Sequence, residues 1–294
     1  MNIRKPQKII KIRNNHYLMA VARKEISEIL DSILNRPLIE KLLSIILVFT
    51  ISLEAEQLTG RDVIINMESA EKVLTTQMNI KLTHTDVKRD KEKVRIREMV
   101  RYLKRYKNGK YKSKSLLRFL KPDIAKGTGF LIWSNRSGGN DQWLFLPKLK
   151  TAKQIESKEK THRFMNTEFS YEDLESFNQP DEQYFLKNEE NFEGKYCYII
   201  EVVGHTQTQY KRRLVWIDSE DWLLRKVEFY DKSDKLLKVL TINEYQSFEN
   251  FNFSTKLIMR NIQTGSHTVM DVSEIKYNIE ISDNYFTKES LVKP

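Results

Sequence analysis

Two stretches in which apolar and polar residues alternate decide the fold: LTTQMNIKL at residues 74–82 and VRIREMVRY at residues 94–102. In the second stretch the apolar positions, from Val94 to Tyr102, alternate with arginines. A period of two, with one apolar and one polar face, is typical of a half-buried antiparallel strand. Both stretches are predicted to be strands with their apolar positions buried, joined by a turn at Asp90-Lys91.

Ten further strand-like runs follow at short spacing, and turn-forming pairs such as Gly138-Gly139 separate many of them. They cover residues 115–120, 129–133, 142–146, 184–187, 196–203, 212–218, 223–230, 236–245, 254–260 and 268–277. No regular helices alternate with these runs, which argues against a parallel α/β fold. The predicted class is mostly β (α+β): one large curved antiparallel sheet forming a half-open barrel, closed by a few short helices.

Helical signals are few. Residues 60–69 are predicted to form a short helix with Thr59 as its N-cap. The main break in the β pattern, residues 159–177, is expected to contain a helix at 171–177, capped by Ser170. If the sheet curls, its concave side can hold a ligand, although the same pattern also fits a barrel filled by its own side chains.

Residues 42–53, LLSIILVFTISL, form an uncharged apolar segment near the N-terminus. The segment is too short for a membrane span of about 20 apolar residues, but it fits the h-region of a signal peptide, with cleavage after Ala55 or Ser52. An unusually long stretch precedes it. We favour a true translation start downstream, for instance at Leu38, over a retained N-terminus with a core helix or uncleaved anchor. The predicted division is an extension with a signal-like segment (1–55) and one domain (56–294).

Composition separates some classes of function from others. The chain of 294 residues is 40% hydrophobic, which supports a real core, and its formal net charge of +10 raises the question of nucleic-acid binding. The charges are mixed along the strands rather than gathered into one basic block, so no nucleic-acid partner is predicted. A weak attraction to anionic lipid headgroups is at least as natural.

A search for catalytic chemistry finds no arrangement that would carry it. The five histidines show no metal-ligand spacing, and each is interpreted as a surface or turn residue: His16, His84, His162, His205 and His267. Neither a GxSxG elbow nor a Walker A motif is present. Gly127-Thr128-Gly129 is interpreted as a turn before a strand, and Cys197 as a free thiol in a buried strand.

The acidic residues Glu168, Glu172 and Asp173 are the one carboxylate cluster close to aromatic residues. Neighbouring residues on a helix point in different directions, so the cluster does not imply a shared acid–base site. The prediction is therefore a protein that is not an enzyme, with no catalytic residue, no metal and no cofactor.

The segment RFMNTEFSYEDL, residues 163–174, places four large apolar groups within eight residues outside a clean strand pattern: Phe164, Met165, Phe169 and Tyr171. Two interpretations remain open. The segment is either a core plug or a lid that lines a cavity, for which methionine and aromatic side chains are adaptable surfaces.

Several blocks in order resemble one known family. They are GTGFLIW at 127–133, DQWLFLP at 141–147, the segment 164–174, VWID at 215–218, VEFYD at 227–231, the pair Thr264-Gly265, and residues 283–287. Together they are similar to the outer membrane lipoprotein-sorting protein family, a LolA-like branch of exported periplasmic proteins, over about residues 57–291. Asn166 stands where relatives usually have Gly, and Ser266 where a His commonly follows Thr-Gly.

The resemblance implies a LolA/LolB-like half-barrel whose apolar interior receives acyl chains, and a periplasmic location in a Gram-negative-type bacterium. It implies lipoprotein or lipid acyl chains as partners, in a monomeric carrier that moves them toward the outer membrane. The ligand-binding residues predicted on this basis are Trp133, Trp143, Phe164, Met165, Phe169 and Tyr171. An alternative function is a non-enzymatic accessory module of an inner-membrane lipid-exporting transporter of the resistance-nodulation-division type.

Overall fold

The computed structural model of the chain describes residues 24, 25, 27, 28, 58–70, 73–88, 91–177, 179, 181–204, 207–249 and 251–293. The chain divides into two compact units, 1–58 and 59–294, and the fold given below is that of the second. The apolar segment 42–53, both candidate cleavage positions and the turn residue Asp90 lie outside the described residues. In the described part of the chain, no helix combines the length and apolarity needed to cross a bilayer.

The described residues of the second unit form thirteen strands, two short α-helices and five 3₁₀ turns. The helices are α1 (Gly60–Ala70) and α2 (Lys288–Val292). The strands are β1 (Thr75–Lys88), β2 (Lys91–Arg105), β3 (Tyr111–Lys121), β4 (Gly129–Asn135), β5 (Asp141–Leu146), β6 (Thr151–Gln154), β7 (Gln183–Phe192), β8 (Lys195–Val203), β9 (Tyr210–Asp218), β10 (Leu224–Asp231), β11 (Leu236–Phe248), β12 (Phe251–Asn261) and β13 (His267–Tyr277). The sequence predicts every strand except β6, which has four residues and no apolar alternation.

All thirteen strands belong to one antiparallel sheet in the order β6-β5-β4-β3-β2-β1-β13-β12-β11-β10-β9-β8-β7. The sheet is therefore two meanders, β1–β6 and β7–β13, joined where β1 pairs with β13. It is curved but not closed, because β6 and β7 remain as its two edges. The predicted mostly β, half-open architecture is confirmed.

The strand β2 turns to the interior the face opposite to the one that the sequence predicts, along its whole length. In the pairing with β1, Ile80 lies opposite Met99 and Leu82 opposite Arg97, and all four side chains are buried on one face, here called the inner face. Val94 and Ile96 are exposed on the other, outer face. Both faces of β2 carry apolar residues, so alternation alone does not decide which face is buried. The face with the arginines can be buried because the long aliphatic part of an arginine side chain packs against apolar groups.

Helix α1 packs against the edge strand β7. Thr59 Oγ1 accepts a hydrogen bond from the Asp62 backbone N–H at 3.2 Å, and Asp62 accepts one from the Thr59 N–H at 2.9 Å, so the predicted N-cap is confirmed as a reciprocal box. Gly60 is required here, because a Cβ would lie 2.8 Å from the Leu186 backbone nitrogen. The close approach lets Val63 and Ile64 bury completely.

The C-terminal residues 279–293 cover the outer face of β3–β5. Ile281, Phe286 and Leu291 are buried there in one cluster with Leu116, Leu131, Trp143 and Phe145. The Arg118 guanidinium donates hydrogen bonds to the carbonyl oxygens of Leu291 (2.6 Å) and Lys293 (2.8 Å), and also to that of Ser290. These bonds satisfy carbonyls at the end of α2 that the helix itself cannot pair.

The interpretation of Cys197 is confirmed, whereas that of His84 is wrong. Cys197 is a buried free thiol on β8, and burial raises its pKa to about 11. His84 is buried on β1 with its Nδ1 3.0 Å from Thr268 Oγ1, and burial lowers its pKa. His162 is exposed and His267 is half-buried, while His16 and His205 lie outside the described residues.

Candidate functional site

Residues 155–182 join the two edges of the sheet. They follow β6 and precede β7, which are neighbours in sequence but lie at opposite edges. The connection must therefore cross the opening of the half-barrel, and we call it the closing segment. It holds the main break in the β pattern that the sequence predicts, and three of the five 3₁₀ turns: Ser157–Glu159, Phe164–Asn166 and Glu172–Leu174.

Aromatic side chains of the closing segment fill one part of the inner face. The Phe164 ring lies 5.1 Å from that of Phe130, and the Tyr171 ring 5.4 Å from the same ring. Phe164, Phe169 and Tyr171 are buried and Met165 is partly buried. This part of the segment is a plug, the first of the two interpretations left open by the sequence.

The plug depends on unusual backbone geometry at its apex. Met165 and Asn166 have φ values of 50° and 57°, in the left-handed region that costs most residues energy. Asparagine tolerates this region better than other residues with a side chain. The conformation explains why Asn166 can stand where the resemblance leads us to expect a glycine.

A buried ion pair ties the closing segment to the middle of the sheet. Lys238 Nζ on β11 lies 2.5 Å from Asp173 Oδ2, and it also donates to the Glu168 carbonyl oxygen at 3.1 Å. The other oxygen of Asp173 accepts a hydrogen bond from the Tyr210 hydroxyl at 2.7 Å. Burial, followed by the nearby Asp173 charge, raises the pKa of Tyr210 well above its usual value.

Glu168 anchors the segment a second time, on β12 and β13. Its backbone N–H donates to Thr268 Oγ1 at 2.9 Å, and its carboxylate accepts from Asn261 Nδ2 at 3.2 Å. Arg163 Nη2 lies 2.9 Å from the same carboxylate. Asn261 of β12 and Arg163 of the segment itself therefore contact this buried charge, while Thr268 of β13 holds the backbone.

The helix expected at 171–177 is wrong: only the single 3₁₀ turn Glu172–Leu174 forms, and its N-cap is Tyr171 rather than Ser170. The acidic side chains explain the difference. Glu172 accepts a hydrogen bond from Thr208 Oγ1 at 2.6 Å, and Glu175 pairs with Lys160 at 2.7 Å. With Asp173 held by Lys238, tertiary bonds replace the regular helical ones.

Two cavities remain in the part of the interior that the plug does not fill. They have volumes of about 170 and about 200 Å³, and both are lined by Arg101, Leu103 and Arg105 of β2. The walls of the first are completed by residues of β1, β12 and β13, including Met78, Ile80, Leu257, Met270 and Val272. The second is covered by Met67 of α1 and by Leu174 and Phe177 of the closing segment.

The first cavity is lined mainly by apolar residues, whereas the second also has serines and Glu68 in its wall. The basic residues Arg101 and Arg105 line both. Arg101 Nε donates a hydrogen bond to Ser115 Oγ at 3.1 Å, which holds its guanidinium against β3. Such groups can donate several hydrogen bonds to the oxygens of an anionic or ester group.

The structure separates the six residues predicted to bind a ligand into two groups. Phe164, Met165 and Tyr171 pack in the hydrophobic cluster of the inner face, and Phe169 of the same segment is buried. Trp133 and Trp143 lie on the outer face, with their rings 4.6 Å apart, and Trp133 Nε1 donates to the Phe286 carbonyl at 2.8 Å. The two tryptophans line neither inner cavity.

Sequence reasoning missed the residues that line the cavities, above all Arg101, Leu103 and Arg105. The sequence did contain a signal. Met99 and Leu103 occupy the same alternate positions as the arginines of β2, so an apolar residue and an arginine lie on the same face of this strand. Among the described residues, no group of three or more His, Cys, Asp or Glu side chains is placed to hold a metal ion. The buried carboxylates Glu168 and Asp173 are occupied by the contacts that hold the closing segment, and Asp218 is paired with Arg225 and Lys195.

Comparison with known proteins identifies relatives of this fold. A family model described as "uncharacterized protein" matches residues 111–293. No curated protein matches the sequence significantly.

Solved structures are similar over most of the chain. A DUF1329 family protein from Desulfovibrio piger is 28% identical with a TM-score of 0.73, covering 79% of this chain and 97% of that one. A putative outer membrane lipoprotein-sorting protein domain from Vibrio parahaemolyticus is 28% identical with a TM-score of 0.74, covering 80% and 98%. A LolA superfamily protein from Nitrosomonas europaea is 19% identical with a TM-score of 0.63, covering 79% and 99%, and shows likeness of fold alone.

Proposed function

The chain belongs to the family whose model matches residues 111–293. From this premise, and from its likeness to the outer membrane lipoprotein-sorting protein domain of Vibrio parahaemolyticus, we propose that it is a carrier of acyl chains. The ligand is the acyl chain of a lipoprotein or a lipid, held on the inner face of the half-barrel. The carrier works in the periplasm, moves its cargo toward the outer membrane and catalyses no reaction.

The observation that carries this proposal is the incompletely filled interior. Two cavities share Leu103 in their walls, the first of them mainly apolar, and together they reach the lower end of the roughly 300–1,000 Å³ typical of small-molecule sites. Each methylene transferred from water into such a site contributes about 0.8 kcal/mol. A chain of a dozen or so carbons therefore needs no catalytic or metal group to bind tightly.

Polar groups at the junction suit the other end of the same ligand. Arg101 and Arg105 line both cavities, and the first cavity has no carboxylate in its lining, so an acyl chain in the first cavity would place its ester or phosphate oxygens near a guanidinium group. Charge-assisted hydrogen bonds of this kind are the stronger ones in proteins. They would orient the lipid with its tail against Ile80, Leu257 and Met270 and its head toward β2.

The closing segment supplies a means of release. Leu174 and Phe177 cover one cavity, and a few residues away Asp173 and Glu168 fasten the segment to the sheet. Loosening those anchors would expose the cavity without unfolding any strand. Cargo transfer in this proposal is a movement of residues 155–182 away from β11 and β12.

The proposal is tested by asking what the protein carries. The full chain is purified from a bacterial envelope without detergent, extracted with organic solvent, and the extract is analysed by mass spectrometry. The expected result is an acyl-bearing species in near-stoichiometric amount. A protein that is empty, and stays empty after incubation with phospholipid and with a diacylated lipopeptide, would contradict the proposal.

A further inference from the structure

Exposed apolar residues gather at one end of the sheet. The turns β1–β2, β3–β4, β5–β6 and β12–β13 all lie at this end, because the strands are antiparallel neighbours. Six large apolar side chains are exposed there, and we call them the tip surface: Val94, Ile96, Leu120, Ile124, Leu149 and Ile262. Ile124 is 73% and Leu149 65% exposed, the highest values of any large apolar side chain in the part of the chain that the structure describes.

Two of these turns lie side by side. Gly129 of β4 pairs with Phe145 of β5, and a Cβ on Gly127 of the β3–β4 turn would lie 3.4 Å from Pro147 Cγ of the β5–β6 turn. The β1–β2 hairpin runs further out, because Glu98 pairs with Lys121 at the end of β3 while the hairpin itself pairs as far as Lys88 and Lys91. Ile124 and Leu149 therefore lie on adjacent turns, and contiguous exposed apolar patches mark interaction sites.

Lysines surround the apolar tips. Six are exposed on the same turns: Lys91, Lys93, Lys121, Lys126, Lys148 and Lys150. The carboxylates among them are Glu92, Asp123 and Glu98, and Glu98 pairs with Lys121 at 3.0 Å. The surface is thus positive overall, with aliphatic side chains projecting between flexible ammonium groups.

This combination fits the interface of an anionic bilayer. Aliphatic side chains on projecting turns can enter the headgroup region, while lysine stems lie along it and their ammonium groups contact phosphates. Each basic residue near such a surface adds attraction that is screened by salt. The apolar side chains stand on projecting turns with lysines around them, an arrangement that suits a fluid anionic lipid surface better than the helix of a protein partner.

We propose that the tip surface binds the headgroup face of an anionic lipid bilayer, with Ile124 and Leu149 entering the interface. The tip residues line neither inner cavity, so this proposal stands whether or not the interior carries an acyl chain. It assigns the protein a defined orientation on a membrane, with the β1–β2, β3–β4 and β5–β6 turns facing the lipid.

A local probe tests the proposal in the full chain. Cys197, the sole cysteine, is replaced by Ala, and Ile124→Cys or Leu149→Cys is labelled with an environment-sensitive NBD dye. Lys107→Cys, exposed on the β2–β3 turn at the opposite end, is the matched control. Vesicles of phosphatidylcholine with phosphatidylglycerol are compared with phosphatidylcholine alone. Because residues 1–57 are common to all variants, a site-specific signal reports the tip itself.

We expect the dyes at positions 124 and 149 to brighten and shift to the blue with anionic vesicles only, and the dye at 107 to stay unchanged. The double variant Lys126→Glu/Lys148→Glu should weaken vesicle binding at least about tenfold, and Lys107→Glu/Lys110→Glu should not. No response at 124 and 149, the same response at 107, or equal binding to neutral vesicles would each overturn the proposal.

Discussion

Lys238 on β11 and Asp173 on the closing segment form a 2.5 Å ion pair whose side chains are only 4% and 2% exposed. The pair joins the middle of the sheet to the chain that crosses its opening. Removing one member of a buried pair leaves the other charge without compensation, a larger loss than the pair itself contributes. Replacing either residue alone is therefore expected to lower the free energy of unfolding more, relative to its share of the pair, than replacing both together.

The first prediction concerns this pair. Lys238→Met should lower the free energy of unfolding by about 3–5 kcal/mol, and Asp173→Asn by a smaller amount because Tyr210 can still bond to it. The double variant should lose less than the sum of the two. Urea denaturation of all four proteins measures the coupling. The exposed pair Lys256–Glu244 is the control and should contribute less than about 1 kcal/mol; additive losses at Lys238 and Asp173 would contradict the account.

The second prediction concerns pH. Burial raises the pKa of Glu172 above its ordinary 4.5, and the neighbouring Asp173 adds to the effect, while the Thr208 and Gln209 hydrogen bonds oppose it. The folded protein thus holds this proton more tightly than the unfolded chain does. The stabilisation is complete below the ordinary pKa and is lost as pH rises through the raised one.

Replacing the titrating group should remove that part of the pH dependence. Between about pH 5 and about pH 8, the thermal midpoint of Glu172→Gln should fall less than that of the unsubstituted protein. Glu220→Gln, at an exposed position, is the control and should behave as the unsubstituted protein does. If the pH dependence of Glu172→Gln equals that of the unsubstituted protein, the pKa of this carboxyl does not differ between the folded and the unfolded state, and the prediction is wrong.

The third prediction separates the outer face from the inner one. Trp133→Phe removes the hydrogen bond to the Phe286 carbonyl and should lower the free energy of unfolding by about 1–3 kcal/mol. Its affinity for a fluorescent fatty acid should stay within about twofold, since a twofold change corresponds to only a few tenths of a kcal/mol. A large loss of affinity in the folded variant would contradict this prediction and would indicate that Trp133 contacts the ligand, as the sequence analysis expects.

Most of the sheet could be predicted because alternation and turn pairs are local signals. The strand β6 could not, since Thr151–Gln154 carries no apolar alternation. Which face of a strand turns toward the interior is not determined by the local sequence. On β2, pairing with β1 and the plug turned Arg97 and Met99 inward and left Val94 and Ile96 outside.

The site was harder to predict than the sheet. The aromatic plug could be found, because four large apolar residues in a short segment stand out in any sequence. Trp133 and Trp143 look equally prominent, yet the C-terminal residues cover them on the outer face. The cavity residues Arg101 and Leu103 lie far apart in sequence from Leu257 and Met270, and only the register of β1, β2, β12 and β13 brings them together.

The central claim is that an acyl chain occupies the inner cavities, and neighbouring positions on β2 test it most directly. Leu103 lines both cavities, whereas Tyr102 faces outward, with its ring 5.4 Å from that of Tyr285. Leu103→Trp fills the junction, and Tyr102→Trp adds a similar group outside. Overpacking a core costs about 1–3 kcal/mol, so Leu103→Trp can fail to fold. In that case Met270→Trp takes its place, because Met270 of β13 lines the first cavity.

The decisive measurement is the affinity of the three folded variants for a fluorescent fatty acid. The account predicts that Leu103→Trp and Met270→Trp lose at least about tenfold, equivalent to 1.4 kcal/mol, while Tyr102→Trp keeps the original affinity. Equal affinities in all three proteins would contradict an acyl site on the inner face.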